Sequence, residues 1–76
     1  MVREFEDSDG RRWDVALGRA SWGAFHALFV PREGSGARQT LLAAEASEDA
    51  ARILHEADAG TLLELFRRSK PYEDGS

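Results

Sequence analysis

Cysteine is absent from this chain, which excludes disulfide staples and thiolate metal ligands. A domain of 76 residues hides only about 60% of the surface that its unfolded form exposes. The core must therefore hold by apolar packing alone or borrow area from a partner, so oligomerisation is a standing expectation. Long apolar runs are also missing, and none approaches the roughly 20 residues of a membrane span. Residues 1–7 alternate charge and apolarity, without the basic stretch and apolar segment of a secretory signal. The expectation is a cytoplasmic protein with no membrane association. Lysine occurs once against nine arginines, a codon-level sign of a GC-rich bacterial genome that carries no functional meaning.

Charge of one sign is scarce only in part of the chain. The formal net charge is −4, yet residues 1–38 hold six arginines against six acids, whereas residues 39–76 hold four basic residues against eight acids. The acidic excess lies in the second half, which would repel a phosphate backbone and reads as a solvated helix surface.

Histidine is limited to His26 and His55, and neither shares ligand spacing with other candidates, so no metal site is expected. Ser21, His26 and Asp14 supply the residue types of a hydrolase triad, but no nucleophile elbow surrounds the serine. Glu48 and Asp49 are adjacent and cannot face one substrate from a helix; they suit a helix start instead. Gly34 and Gly36 stand between arginines, yet no Lys-Ser or Lys-Thr pair follows, which favours a hairpin over a phosphate loop. Asp7, Asp9 and Gly10 fall short of a calcium loop, because Phe5 and Ala16 would occupy its first and last ligand positions. No catalytic residue and no cofactor is expected.

What the chain does have is a change of hydrophobic rhythm at Ser47, from the two-residue beat of strands to the three-or-four-residue beat of helices. In residues 12–17, Trp13, Val15 and Leu17 share one face while Arg12, Asp14 and Ala16 share the other. The preceding Asp7-Ser8-Asp9-Gly10 is turn chemistry. A two-residue turn would set Phe5 against Asp14, mixing the faces. A three-residue loop with a left-handed Gly10 sets Phe5 against Trp13 and Glu6 against Arg12. The same device at Gly34-Ser35-Gly36 predicts that Phe29 pairs with Leu41, Leu28 with Leu42 and Ala27 with Ala43. Both faces of that second hairpin are then apolar.

Beyond the rhythm change, Ser47 is the expected N-cap, and Ala50, Ile53, Leu54 and Ala57 mark one helical face. Gly60 is the expected stop, with Thr61 and Glu64 forming a capping box for a second helix that carries Leu62, Leu65 and Phe66. A single helix kinked at Gly60 is the alternative. Arg67, Arg68 and Lys70 suit the C-terminal end, and Pro71 closes it. The predicted fold is α+β: a four-stranded antiparallel meander of two hairpins, followed by a C-terminal helical hairpin packed on one sheet face. Residues 1–70 form the domain and 71–76 a flexible tail.

The run Asp9-Gly10-Arg11-Arg12-Trp13-Asp14-Val15, an aromatic strand, a glycine hairpin and a short helix ending in proline together resemble small proteins of GC-rich bacteria. That resemblance spans much of the chain but rests on turn and core residues, and it brings no activity with it.

The leading functional expectation is a non-enzymatic protein-interaction module, a small regulator or accessory subunit presenting an apolar sheet surface. Two short helices cannot cover both apolar faces of the second hairpin, and the face bearing Leu28, Val30, Leu42 and Ala44 is the candidate contact patch. Trp22, between Ser21 and Gly23, is either a cover for the core end or an anchor for the partner. The partner is a second protein or a second copy of the chain. The alternative is a nucleic-acid-binding regulator that uses Arg11, Arg12, Arg32 and Arg38 beside the hairpin aromatics. Nucleic acid is the less favoured partner, because Glu4, Glu6, Asp7, Asp9 and Asp14 neutralise the first hairpin.

Overall fold

In a computed structural model that describes residues 2–19, 23–34 and 36–72, the chain is α+β, with a five-stranded antiparallel sheet and two helices. The first hairpin forms as its turn chemistry dictates. Strand β1 (Val2–Glu6) pairs with β2 (Arg12–Arg19) so that Phe5 meets Trp13 and Glu6 meets Arg12. The Asp7 carbonyl accepts from Gly10 N–H at 3.0 Å, closing a tight turn, and Gly10 follows at φ +82°, which the absence of a Cβ permits.

Strand β3 (Phe25–Pro31) pairs with β2, placing Phe29 beside Val15 and Leu28 beside Ala16. Strand β4 (Arg38–Leu41) departs from the predicted register: Phe29 pairs with Arg38, Leu28 with Gln39, Ala27 with Thr40 and His26 with Leu41. The shift is three residues. Because side chains alternate with period two, an odd shift moves every β4 side chain to the opposite face. The predicted loop would have set Arg38 directly against Arg32, two like charges in one cross-strand pair. In the observed register Arg32 reaches Glu4 and Asp14 instead, while Arg38 lies over the Phe66 ring.

The chain continues into helix α1 (Ser47–Glu56) and helix α2 (Ala59–Arg68). Two boundary expectations are corrected. Ala46 holds the N-cap of α1 and makes no side-chain bond, so Ser47 is the first helical residue. The break between the helices falls at Ala57 and Asp58 rather than at Gly60, which lies inside α2. Asp58 caps α2 by accepting from Thr61 N–H at 2.7 Å, a stronger claim on the chain than glycine's freedom to stop a helix. Thr61 thus serves as the donor to the cap and not as the cap. A fifth strand, β5 (Lys70–Pro71), pairs with β4, and Tyr72 N–H donates to Ala37 O at 2.9 Å. Pro71 sits on this edge strand, where a missing N–H costs no ladder bond.

The strands lie in the order β1-β2-β3-β4-β5. One sheet face supplies Phe5, Trp13, Val15, Phe25, Ala27 and Phe29 to a core completed by Leu54 of α1 and Leu62 and Leu65 of α2. Against it packs the half-buried Phe66 ring, 5.4 Å from Phe5, 4.9 Å from Trp13 and 5.2 Å from Phe29. Fully burying Phe29 contributes about 1.5–3 kcal/mol. Arg3 donates from Nη1 to the carbonyls of Leu54 and Ala57, tying β1 to the electronegative end of α1.

Candidate functional site

Among the described residues no helix contributes to the opposite sheet face. Pairing assigns its residues, since directly opposed residues share a face: Glu4, Asp14 and Val30 in one row, Ala16, Leu28, Gln39 and Lys70 in the next, and Gly18, His26 and Leu41 beyond. Val30 and Leu41 stand 45% and 59% exposed, Leu28 is half-buried and Tyr72 is 42% exposed. These residues form an apolar strip bordered on the β1 and β2 side by charge. There Arg32 Nε donates to Asp14 Oδ1 at 3.1 Å and its Nη2 to Glu4 Oε1. Asp14 first and Glu4 second hold the Arg32 guanidinium further toward its charged form.

His26 is buried on this otherwise open face. It occupies the space above Gly18, where a Cβ would lie 2.2 Å from His26 Nε2 and 2.8 Å from Leu28 Cδ1. The Tyr72 ring meets His26 edge-on, 6.4 Å between centroids. Gly18 therefore has a packing role that its place in the sequence did not reveal.

The candidate patch divides. Leu28 and Val30 lie on the open face as expected. Leu42 does not: it is 8% exposed, belongs to the core and donates its N–H to Phe25 O at 2.9 Å. Ala44 packs against the same core. Both corrections follow from the three-residue register shift, which exchanges Leu42 for Leu41 on the open face. Trp22 lies outside the described residues.

The four arginines of the nucleic-acid alternative are also divided. Arg32 is engaged with two carboxylates, and Arg12 is exposed beside Glu6. Arg11 stacks 4.7 Å above the Trp13 ring and donates from Nη2 to Glu33 O at 3.1 Å. Arg38 donates from Nε to Ser69 Oγ at 2.8 Å and from Nη2 to Ser69 O at 2.7 Å. Trp13 is buried, which removes it as a stacking platform for a base. Its indole N–H donates to Asp7 Oδ2 at 2.9 Å, while Asp7 Oδ1 accepts from the backbone N–H of Asp9 and Arg11, each at 2.9 Å. The indole bond, more than the backbone bonds, holds the Asp7 carboxyl below its ordinary range. Asp7 is thus the residue that fixes the first turn to the core, a link readable only once the register is known.

Arg11 and Arg38 do meet, in a cleft of about 520 Å³ between the first hairpin loop, the start of β4 and α2, where Arg67 joins them. Among the described residues no group of three or more histidine, aspartate or glutamate side chains could hold a metal ion, and no helix is long and apolar enough to cross a membrane. Comparison with protein-family models, with curated proteins and with solved structures found no match.

Proposed function

We propose that the chain is a non-enzymatic interaction module, a small regulator or accessory subunit, that works by presenting its open sheet face to a protein partner. The observation that carries this reading is the strip formed by Leu28, Val30 and Leu41 on a sheet whose other face already holds the core. In this reading the two helices act as a hairpin whose task is to close the core side, leaving the other side for association.

The occupant that suits the face best is a second copy of the chain. Its acids, Glu4, Glu6 and Asp14, lie on β1 and β2 with Arg12 and Arg32 among them, three acids against two cations, and Lys70 lies on β5 at the opposite margin. A two-fold axis parallel to the strands lays β1 of one copy over β5 of the other, so acids face Lys70 at both margins and the central β3 faces its own equivalent. A face roughly 20 Å on each side buries on the order of 400 Å² per copy, below the ~800 Å² per partner of a stable complex. The dimer should be weak, reversible and concentration-dependent.

Sedimentation velocity over a wide concentration range tests this. The expected result is a rising weighted-average mass that falls back to the monomer in the Val30→Ser, Leu41→Ser double variant, with circular dichroism unchanged. A wild type that stays monomeric at every concentration would contradict self-association.

A further inference from the structure

The loop-end cleft is separate from the open sheet face, and its chemistry is of a different kind. It brings arginines from three parts of the chain to one place in a protein whose net charge is −4. Two of them are held in position. Arg38 is fixed by its two bonds to Ser69 and lies 5.7 Å over the Phe66 ring, while Arg11 lies over Trp13 and is bonded to Glu33 O. Stacking occupies the flat face of a guanidinium and leaves its N–H edge directed along the ring plane. Nη1 of Arg38 makes no hydrogen bond among the described residues. Arg67, exposed in the last turn of α2, makes no ion pair or hydrogen bond among them either.

The acids in the cleft do not cancel this charge. Asp7 spends both carboxylate oxygens on Asp9 N–H, Arg11 N–H and the Trp13 indole. With Asp9 as the second acid, the described residues that line the cleft hold three cations against two anions, a formal excess of one positive charge. The remaining wall is apolar, from Phe66 and Leu63. The cleft is open to solvent, so a ligand there would be held by its few convergent polar groups and one apolar edge.

We infer that the cleft binds a small monoanion, a carboxylate on a flat apolar body, with the body against Phe66 and Leu63 and the carboxylate between Arg38 and Arg67. A carboxylate matches the single excess charge, and a guanidinium edge meets it with two parallel donors. An anion without the body would forgo the apolar wall.

The test is a titration of the ¹⁵N-labelled full chain with 2-naphthoate, followed at the Trp13 indole N–H, the Arg38 Nε–H and the Phe66 amide. Saturable shifts confined to the cleft are expected, weakened about tenfold in Arg67→Gln, the loss of one charge-assisted contact. The neutral 2-naphthol should bind about tenfold more weakly for the same reason. Val30→Ser should leave the affinity unchanged, which separates this site from the open face. No shift at these three signals, equal binding of 2-naphthol, an unaffected Arg67→Gln, or inorganic phosphate binding as tightly as 2-naphthoate would each overturn the inference.

Discussion

The two faces of the sheet are made by the same strands, often by consecutive residues, and they solve opposite problems. On the helix side Phe29 is fully buried among Phe5 and Phe66, and Leu42 sits beside Phe25 in the core. One residue along, Val30 and Leu41 look out from the other side into the surroundings. Polar groups follow the same division. On the core side Arg38 bonds to Ser69 and Trp13 to Asp7. On the open side the charges lie at the margins, around Arg32 on one and at Lys70 on the other, with an apolar strip between them. The core thus lies on one side of the sheet, and Val30 and Leu41 stay exposed on the other.

The sharpest way to break this comparison is to alter neighbours. Phe29→Ala should cost about 3–5 kcal/mol and Leu42→Ala about 2–5 kcal/mol, enough to unfold much of so small a domain. Val30→Ala and Leu41→Ala should each stay within about 0.5 kcal/mol. Urea denaturation of the four variants is the check. Similar losses for Leu41 and Leu42 would mean that the faces are not distinct.

The open side has one structured element, the His26 ring over Gly18. Gly18→Ala places a Cβ where the ring lies, so the ring must swing out or the strands must part, at about 1–3 kcal/mol. Chemical shifts of the His26 ring protons would report its displacement. Unmoved protons in a fully stable variant would show that the site above Gly18 is not closely packed.

The loops joining the faces should respond more mildly. Gly10 and Gly36 have φ of +82° and +106°, and an alanine at either is strained by about 1 kcal/mol, or about 4–8 °C in a domain of this size. Unchanged melting of both variants would remove the left-handed turns.

The smallest effect concerns acid. Trp13 above all lowers the Asp7 carboxyl, and Thr61 N–H above all lowers that of Asp58. Each group is lowered in the folded state, so its stabilisation is present above the ordinary aspartate value of about 3.9 and is lost as pH falls through the lower folded value. Asp7→Asn and Asp58→Asn should flatten the decline of stability below about pH 4, where wild-type aspartates take up protons. Acid melting curves that run parallel for wild type and variants would contradict this.

How much of this could be read from the residues alone depends on how local the controlling contact is. The first hairpin was legible because Asp7, Gly10 and the alternation of β2 all lie within a dozen residues and agree on one register. The second was misread because its glycines permit several loops, and the choice was made by distant partners: Glu4 and Asp14 for Arg32, Ser69 and Phe66 for Arg38. The like-charge clash of Arg32 with Arg38 in the predicted register was the available signal. It also decided the candidate patch, since three residues of slippage exchanged Leu42 for Leu41. At α2 the expected stop at Gly60 and cap at Thr61 both give way to Asp58, whose carboxylate accepts from Thr61 N–H. The fifth strand was hidden because Pro71 reads as a terminator until an edge is known to be free. The cleft could not be seen at all, because Arg11, Arg38 and Arg67 are far apart in the chain and meet only through the fold.

The central claim is that the open face meets a second copy of itself. Mixing ¹³C-labelled with unlabelled chain at high concentration and recording isotope-filtered NOEs tests it most directly. Inter-copy NOEs are expected from the methyl groups of Val30, Leu28 and Leu41, and none from Phe29 or Leu42. Inter-copy NOEs that arise elsewhere, or that are absent at every concentration, would contradict it.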